Sequence, residues 1–304
     1  LSDPKLLVTG ATGLIGTPFV ARLRGQGVEA HGASRSASGR FWHSADLVSA
    51  RAARELVERV EPTTIVHLVG GTHGDASRLY ELNAQTLANV MHASARLPHR
   101  PTVIALGSAA EYGEPPGGVA TESSPTKPVS PYGRAKLAGT SLAQTLSQSS
   151  EVPLSVVRPF NIVSPQLPVG SALGNLRRQL LGQTGAHRVV RCGRVDVVRD
   201  FVPLDFVVDV LVTIALAQEP PPVLNVCSGT GIALGDVLDA MATHVGATVE
   251  VEPVPELIAI PAALRVIGDP RLLAELGLSC TPTPESLARV LLGSTASGGA
   301  TPEA

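Results

Sequence analysis

The chain has 304 residues, a formal charge of −2 and 3 % aromatic residues. That length suits one large α/β domain, or a domain with a smaller lobe, with room for a sizeable core. The balanced charge and scarce aromatics argue against a nucleic-acid or anionic-membrane surface, and no apolar run approaches the roughly 20 residues of a membrane span.

Short apolar runs at Lys5–Thr9, Val28–Ala33, Thr64–Val69, Thr102–Gly107 and Leu154–Arg158 read as buried strands. Helical spacing fills the gaps at Leu14–Arg24, Ser49–Val60, Leu79–Leu97 and Pro131–Gln148. This alternation calls for a parallel sheet covered by helices on both faces. Beyond Pro159 the pattern is irregular, with a further helix at Asp205–Ala217 and a strand at Val223–Cys227. Short helices and one strand, Thr248–Glu252, then predict a smaller lobe. The expected architecture is a Rossmann-type doubly wound parallel sheet with a smaller C-terminal substrate-binding lobe. The sheet domain is assigned to 1–165 and 203–228, and the lobe to 166–202 and 229–293. The polar stretch 294–304 is expected to be a disordered tail. Cys192, Cys227 and Cys280 form no CxxC pair, which fits reduced thiols in a cytoplasmic protein. The histidines show no ligand spacing, so no metal site is expected.

Directly after the first strand, TGATGLIG sets Gly10, Gly13 and Gly16 at spacing three and three where a helix opens. Glycines here permit a tight turn, close approach of a pyrophosphate to backbone N–H groups, and close helix–strand packing. The helix N-terminus adds partial positive charge. At the end of the second strand a carboxylate favours NAD, whereas an arginine accommodates the 2′-phosphate of NADP. The chain reads HGASRSAS, with Ser34, Arg35 and Ser36 and no acid. NADP is therefore expected, with NAD as the other possibility. Asp46 either hydrogen-bonds the adenine or caps the helix that follows it.

Residues 108 to 136 carry the chemistry. Ser108 ends an apolar run, and Tyr132 and Lys136 stand one helical turn apart in PYGRAK. Lysine is rare, with Lys5, Lys127 and Lys136 the only three among twenty-four lysines and arginines. An ammonium beside a phenol favours the phenolate and lowers its pKa from about 10, making a proton donor and acceptor usable near neutrality. A serine hydroxyl aimed at the same point would hold a carbonyl or alcohol oxygen. His67 reads as a hydrogen-bonded core histidine rather than a base, and Tyr112 as a packing residue that lines the pocket. His73 stands near the expected substrate entrance. Arg177 and Arg178 either meet phosphate or form a solvated helix face.

Together these residues resemble the extended short-chain dehydrogenase/reductase superfamily, in its nucleotide-sugar epimerase/dehydratase branch. TGATGLIG, VHLVGG, GSAAEYG, PYGRAK, RPFNIVSP, RDFVPLD and NVCSG occur in that family's order. The resemblance implies that Tyr132 is the general acid/base, that Lys136 holds the nicotinamide ribose, and that Ser108 orients the substrate oxygen. It adds cofactor contacts at Thr12, Leu14, Ile15 and Leu47, then at Leu68, Val69 and Gly70, and at Asn83 and Pro159. On the substrate side it implies Ala109 and Ala110 beside the serine, Asn161 near a diphosphate, and Arg199 pairing with phosphate. Ala259 stands about where relatives carry a further arginine, and Arg265 is the nearest replacement.

RCGRVDVVRDF is especially similar to the GDP-sugar subgroup. Sugar 4,6-dehydratases carry a glutamate just after the serine or threonine, where this chain has Ala109 and Ala110. Glu111 comes one residue later, and on an extended segment that shift turns a side chain to the opposite face. The expected reaction is therefore NADPH-dependent reduction of a nucleotide-activated 4-keto-6-deoxy sugar. The alternatives are a nucleotide-sugar epimerase and a non-catalytic dinucleotide sensor of the same fold. The resemblance further implies a homodimer paired through the helices at 79–97 and 131–148, whose apolar faces otherwise pack against the sheet.

Overall fold

The computed structural model describes residues 4–259 and 263–293. Lys5–Thr9 (β1), Glu29–Ser34 (β2), Trp42–Ser44 (β3), Thr64–His67 (β4) and Thr102–Leu106 (β5) alternate with Gly16–Gly25 (α1), Ala50–Val60 (α2), Ala76–Tyr80 (α3) and Thr86–Ser94 (α4). The short strand Val119–Ala120 (β6) precedes Pro131–Ser150 (α5), Leu154–Pro159 (β7) and Asn161–Val163 (β8). Next come Ala172–Leu181 (α6), His187–Cys192 (β9), Val198–Pro203 (β10), Leu204–Leu216 (α7) and Val223–Val226 (β11). The chain continues through Gly231–Ala233 (β12), Leu234–His244 (α8), Thr248–Pro253 (β13) and Pro255–Ile258 (α9). Arg265–Gly268 (β14), Arg271–Glu275 (α10) and Pro284–Leu292 (α11) complete it.

Seven strands form one sheet in the order β11-β7-β5-β4-β1-β2-β3, and every pairing is parallel. Period-two alternation divides its side chains between two cores. Leu6, Val8, Val66, Ile104 and Val157 pack with Phe19 and Leu23 of α1 and Val207, Leu211 and Ile214 of α7. Leu7, Ile65, Val103 and Ala105 pack on the other face with Leu56 and Val57 of α2, Met91 of α4 and Ala143 of α5. The strand order reverses between β1 and β4, which opens a crevice at the strands' carboxyl ends.

A second sheet runs β12-β10-β14-β6, with β8 also paired to β10, and β9 pairs in parallel with β13. A third apolar cluster lies beneath them, drawing on Leu173, Leu176 and Leu180 of α6, Val237, Leu238 and Met241 of α8, and Leu287 and Leu291 of α11.

The helix expected over Leu79–Leu97 is broken. Glu81–Gln85 forms a π-turn between α3 and α4, and Asn83 is the cause. Its side-chain amide donates to the carbonyls of Leu79 and Gly71, both at 2.8 Å. A side chain inserted into the helical ladder is a recurrent source of such bulges. Most of the strands after Pro159 are too short or too exposed to show as apolar runs. The expected tail 294–304 lies outside the described residues. Among the described residues no helix is long and apolar enough to cross a membrane, and no group of three or more His, Cys, Asp or Glu could hold a metal ion.

Candidate active site

The crevice floor is the glycine turn between β1 and α1. Gly10 has φ +71°, and a Cβ there would lie 2.8 Å from the Leu68 carbonyl carbon. A Cβ on Gly16 would lie 2.3 Å from the Gly10 oxygen. A side chain at either position would collide with backbone, so the glycines let β1, the turn and α1 pack closely and leave the turn's backbone a bare cradle. Thr12 and Gly13 are exposed on it, and Leu14 and Ile15 turn inward toward the helix. Beside the cradle, the Ser34 hydroxyl at the end of β2 is buried and has no hydrogen-bond partner. Arg35 and Ser36 follow it on the surface. Asp46 is exposed and accepts the Val48 N–H at 3.1 Å, and the neighbouring Leu47 is buried. Leu68, Val69 and Gly70 leave the end of β4 on the opposite side of the turn. An orphaned hydroxyl, an adjacent arginine and a cradle that tolerates no Cβ fit a dinucleotide with a 2′-phosphate.

Three segments bring the chemical trio together. Ser130 caps α5 by accepting the Gly133 N–H at 3.0 Å, and Pro131 occupies the first turn. A Cβ on Gly133 would lie 2.4 Å from the Ala110 oxygen, so the start of α5 rests directly on the turn that carries Ser108. The Ser108 hydroxyl stands close enough to the Tyr132 phenol to act on its ionisation. Lys136 is buried and donates its ammonium to the Leu106 carbonyl at 2.8 Å. Gly70 lies against both Lys136 and Asn83, because a Cβ there would meet Asn83 Oδ1 at 2.9 Å and Lys136 Nζ at 3.1 Å. Pro159, at the end of β7, is buried.

The electrostatics correct one expectation. The sequence predicts that Lys136 pulls the Tyr132 phenol down, yet burial pushes that phenol above its ordinary value; the Ser108 hydroxyl opposes the rise and the Glu111 carboxylate adds to it. Desolvation brings Lys136 itself down to about 8, against the pull of Glu111. An isolated phenol in this setting holds its proton and is a donor at neutral pH.

Glu111 is not on an extended segment. Ala109–Glu111 form a 3₁₀ turn, and the Glu111 side chain is fully buried. One oxygen accepts the Ser108 N–H at 2.9 Å. The other accepts Thr140 at 2.9 Å and Arg158 at 3.0 Å. The strand-register argument about this residue therefore does not apply; its carboxylate is instead buried with both oxygens occupied. A single arginine within the apolar run LSVVRP was the available signal, since a buried guanidinium requires an acid partner.

On the substrate side, Asn161 donates to the Asp200 carbonyl at 2.9 Å. Arg199 does not extend freely into the cleft. It donates to the carbonyls of Val198 at 2.9 Å and Ala263 at 2.7 Å, and burial lowers its pKa. The Arg265 side chain lies over Gly118, where a Cβ would meet it at 2.7 Å. Asp200, which lies in RDFVPLD but for which the sequence predicts no role, is fully buried. It accepts N–H groups from Ser228, Gly229 and Gly268 together with the Ser228 hydroxyl, tying β10 to the loop after β11 and to the end of β14. His73 contacts Thr72 at 2.7 Å and the Gly170 carbonyl at 3.1 Å, joining the loop after β4 to the one before α6.

His67 is a core histidine. It lies between the hydroxyls of Thr9 at 2.8 Å and Thr86 at 3.2 Å, and burial drives its pKa down to about 3. Thr86 donates its own proton to the Leu82 carbonyl. The neutral imidazole therefore carries its proton on Nε2 and accepts from Thr9 at Nδ1.

A glycine cradle at the switch point of a parallel sheet, with a Ser–Tyr–Lys trio beside it, defines a Rossmann-type protein built for proton transfer next to a dinucleotide. The sequence profile of the NAD dependent epimerase/dehydratase family matches residues 6–227, and the chain belongs to that family. It is 29 % identical over 262 residues to dTDP-6-deoxy-L-talose 4-dehydrogenase (NAD(P)(+)) of Kitasatospora kifunensis, covering 83 % of this chain and 82 % of that protein. It is 25 % identical over 280 residues to GDP-6-deoxy-D-mannose reductase of Pseudomonas aeruginosa, covering 86 % and 84 %. Its fold matches the UDP-glucose 4-epimerase of Thermus thermophilus, solved in complex with NAD, with a TM-score of 0.81, 23 % identity and coverage of 94 % and 97 %.

Proposed function

We propose that this protein is an NADPH-dependent reductase of a nucleotide-activated 4-keto-6-deoxy sugar. The observation that carries the reading is the acid inventory around Ser108: Ala109 and Ala110 offer none, and Glu111 is sealed in an ion pair. Tyr132 is then the remaining proton donor at the trio. Bound NADPH supplies the hydride. Ser108 donates a hydrogen bond to the substrate carbonyl, and Tyr132 delivers its phenolic proton as that oxygen becomes an alkoxide. Lys136⁺ stabilises the phenolate left behind.

Ser34 and Arg35 are the groups assigned to the 2′-phosphate, the glycine turn and Leu68–Gly70 to the pyrophosphate side, and Asn83 and Lys136 to the ribose. The lobe of residues 166–202 and 229–293 is assigned to the nucleotide sugar, with Asn161 and Arg265 as contacts. Arg199 serves that lobe by holding the backbone at Val198 and Ala263. The partly exposed Tyr80 and Leu142, on α3 and α5, mark the face through which we place a homodimer. Relatives of known activity with reducing and dehydrogenating names support this assignment.

The test mixes purified protein with NADPH and a dTDP- or GDP-linked 4-keto-6-deoxyhexose and follows absorbance at about 340 nm, a reading that reports cofactor oxidation. Stoichiometric loss, abolished in Tyr132→Phe, is the expected result. A second reading, nucleotide-sugar 4-epimerase, draws on the structural likeness to an epimerase and on a trio equally able to remove and return a proton. It predicts interconversion of C4 epimers with no net change in absorbance.

A further inference from the structure

Glu111 is a fully buried carboxylate that the reaction outlined above does not use. It nevertheless touches every element that carries the trio. It accepts the main-chain N–H of Ser108 and the hydroxyl of Thr140, which lies one turn beyond Lys136 on α5. Arg158 of β7 closes the pair at 3.0 Å from two of its nitrogens. From there the network continues outward. Arg158 donates to the Tyr112 hydroxyl at 3.0 Å, and Tyr112 donates to Asn225 on β11 at 2.7 Å. Ser108, α5, β7 and β11 are thus referred to one carboxylate.

We propose that Glu111 is a positioning residue of the ketone-reducing centre, fixing the Ser108 turn against α5 so that Ser108 and Tyr132 meet at a single oxygen. The inference rests on the reductase reading for its kinetic part only. A side chain serving only as filler would need no charge, and a buried ion pair is often replaceable by apolar groups without loss of stability. The charge also faces the titrating groups. Tyr132 and Lys136 confront Glu111 from α5, Arg158 from β7, and Tyr112 from the same turn. His67 lies behind Lys136, and Glu122 behind Tyr112. Its negative charge favours the protonated phenol, the form a ketone reductase needs.

Glu111→Gln keeps the shape and removes the charge. Two measurements apply to it: steady-state ketone reduction, and the ionisation of Tyr132 followed by tyrosinate absorbance as the difference from Tyr132→Phe. Expected are a kcat lower by roughly 10- to 100-fold with KM little changed, and a Tyr132 midpoint shifted to lower pH. Should the single variant fail to fold, Glu111→Gln/Arg158→Met is compared with Arg158→Met alone, so that the difference between the two reports the carboxylate. An unmoved Tyr132 midpoint in the folded variant overturns the proposal, whatever happens to kcat, and so does an unchanged kcat. A wild-type protein that reduces no keto-sugar sinks the reductase reading, while the tyrosinate titration still decides Glu111.

Discussion

Lys136 donates its ammonium to the main-chain carbonyl of Leu106 at 2.8 Å, which pins the buried cation to the last residue of β5, two positions before Ser108. The helix that carries Tyr132 is thereby tied to the strand that leads into its hydroxyl partner. Lys136→Met removes the cation while filling its volume. The expected outcome is a folded protein whose kcat falls by roughly 10²-fold or more. With Lys136 at about 8, wild-type turnover should decline as pH rises through that value. A pH–rate profile in saturating cofactor checks both statements.

Gly16→Ala forces a methyl group to within 2.3 Å of the Gly10 carbonyl oxygen. Since the obstacle is backbone, it cannot swing away. The cradle should deform, weakening NADPH binding by about tenfold or more, equivalent to about 1.4 kcal/mol. Gly25→Ala, where a Cβ would meet nothing within 4 Å, should bind as wild type. Fluorescence titration of NADPH distinguishes the two.

Arg35 is the only arginine or lysine in the stretch HGASRSAS that ends β2. Arg35→Ser should weaken NADPH binding by about tenfold and leave NADH binding within about twofold, because only the former carries a 2′-phosphate. Parallel titrations with the two cofactors measure the ratio. An equal loss for both would remove Arg35 from the phosphate site.

His67 predicts an acid-sensitive core. Its folded pKa of about 3 lies below the ordinary 6.5, so between those values the unfolded chain binds the extra proton. Stability is complete above about pH 6.5 and falls as pH drops toward 3, by up to ~1.4 kcal/mol per pH unit from this group. Urea unfolding at about pH 7 and about pH 5 should show that slope. His67→Gln, with no proton to gain, should flatten it.

Much of this was legible because parallel strands buried on both faces read as unbroken apolar runs. Lys5–Thr9 appears in the structure with the bounds read from sequence, and α5 begins where Ser130 and Pro131 signal it. The π-turn was hidden, because it depends on Asn83 reaching Gly71, a loop residue whose position only the fold determines. Arg199 was hidden for a related reason: the carbonyl groups that occupy it belong to β10 and to the approach to β14, strands that no local pattern announces. Tyr132 and Lys136 could be named from spacing alone, but the sign of the phenol's shift could not. That sign depends on how deeply the ring is buried, and on a glutamate whose partners come from three separate segments.

Gly139 sets a limit on how this site can change. A Cβ there would lie 2.1 Å from the Asn83 carbonyl oxygen, so α5 and the π-turn are in backbone contact at a point between the trio and the far end of the helix. Any larger residue at 139 would lever Tyr132 and Lys136 as one body away from Ser108. A change at 139 therefore acts on the two α5 residues together, whereas α6 and α8 pack in a separate apolar cluster away from this backbone contact.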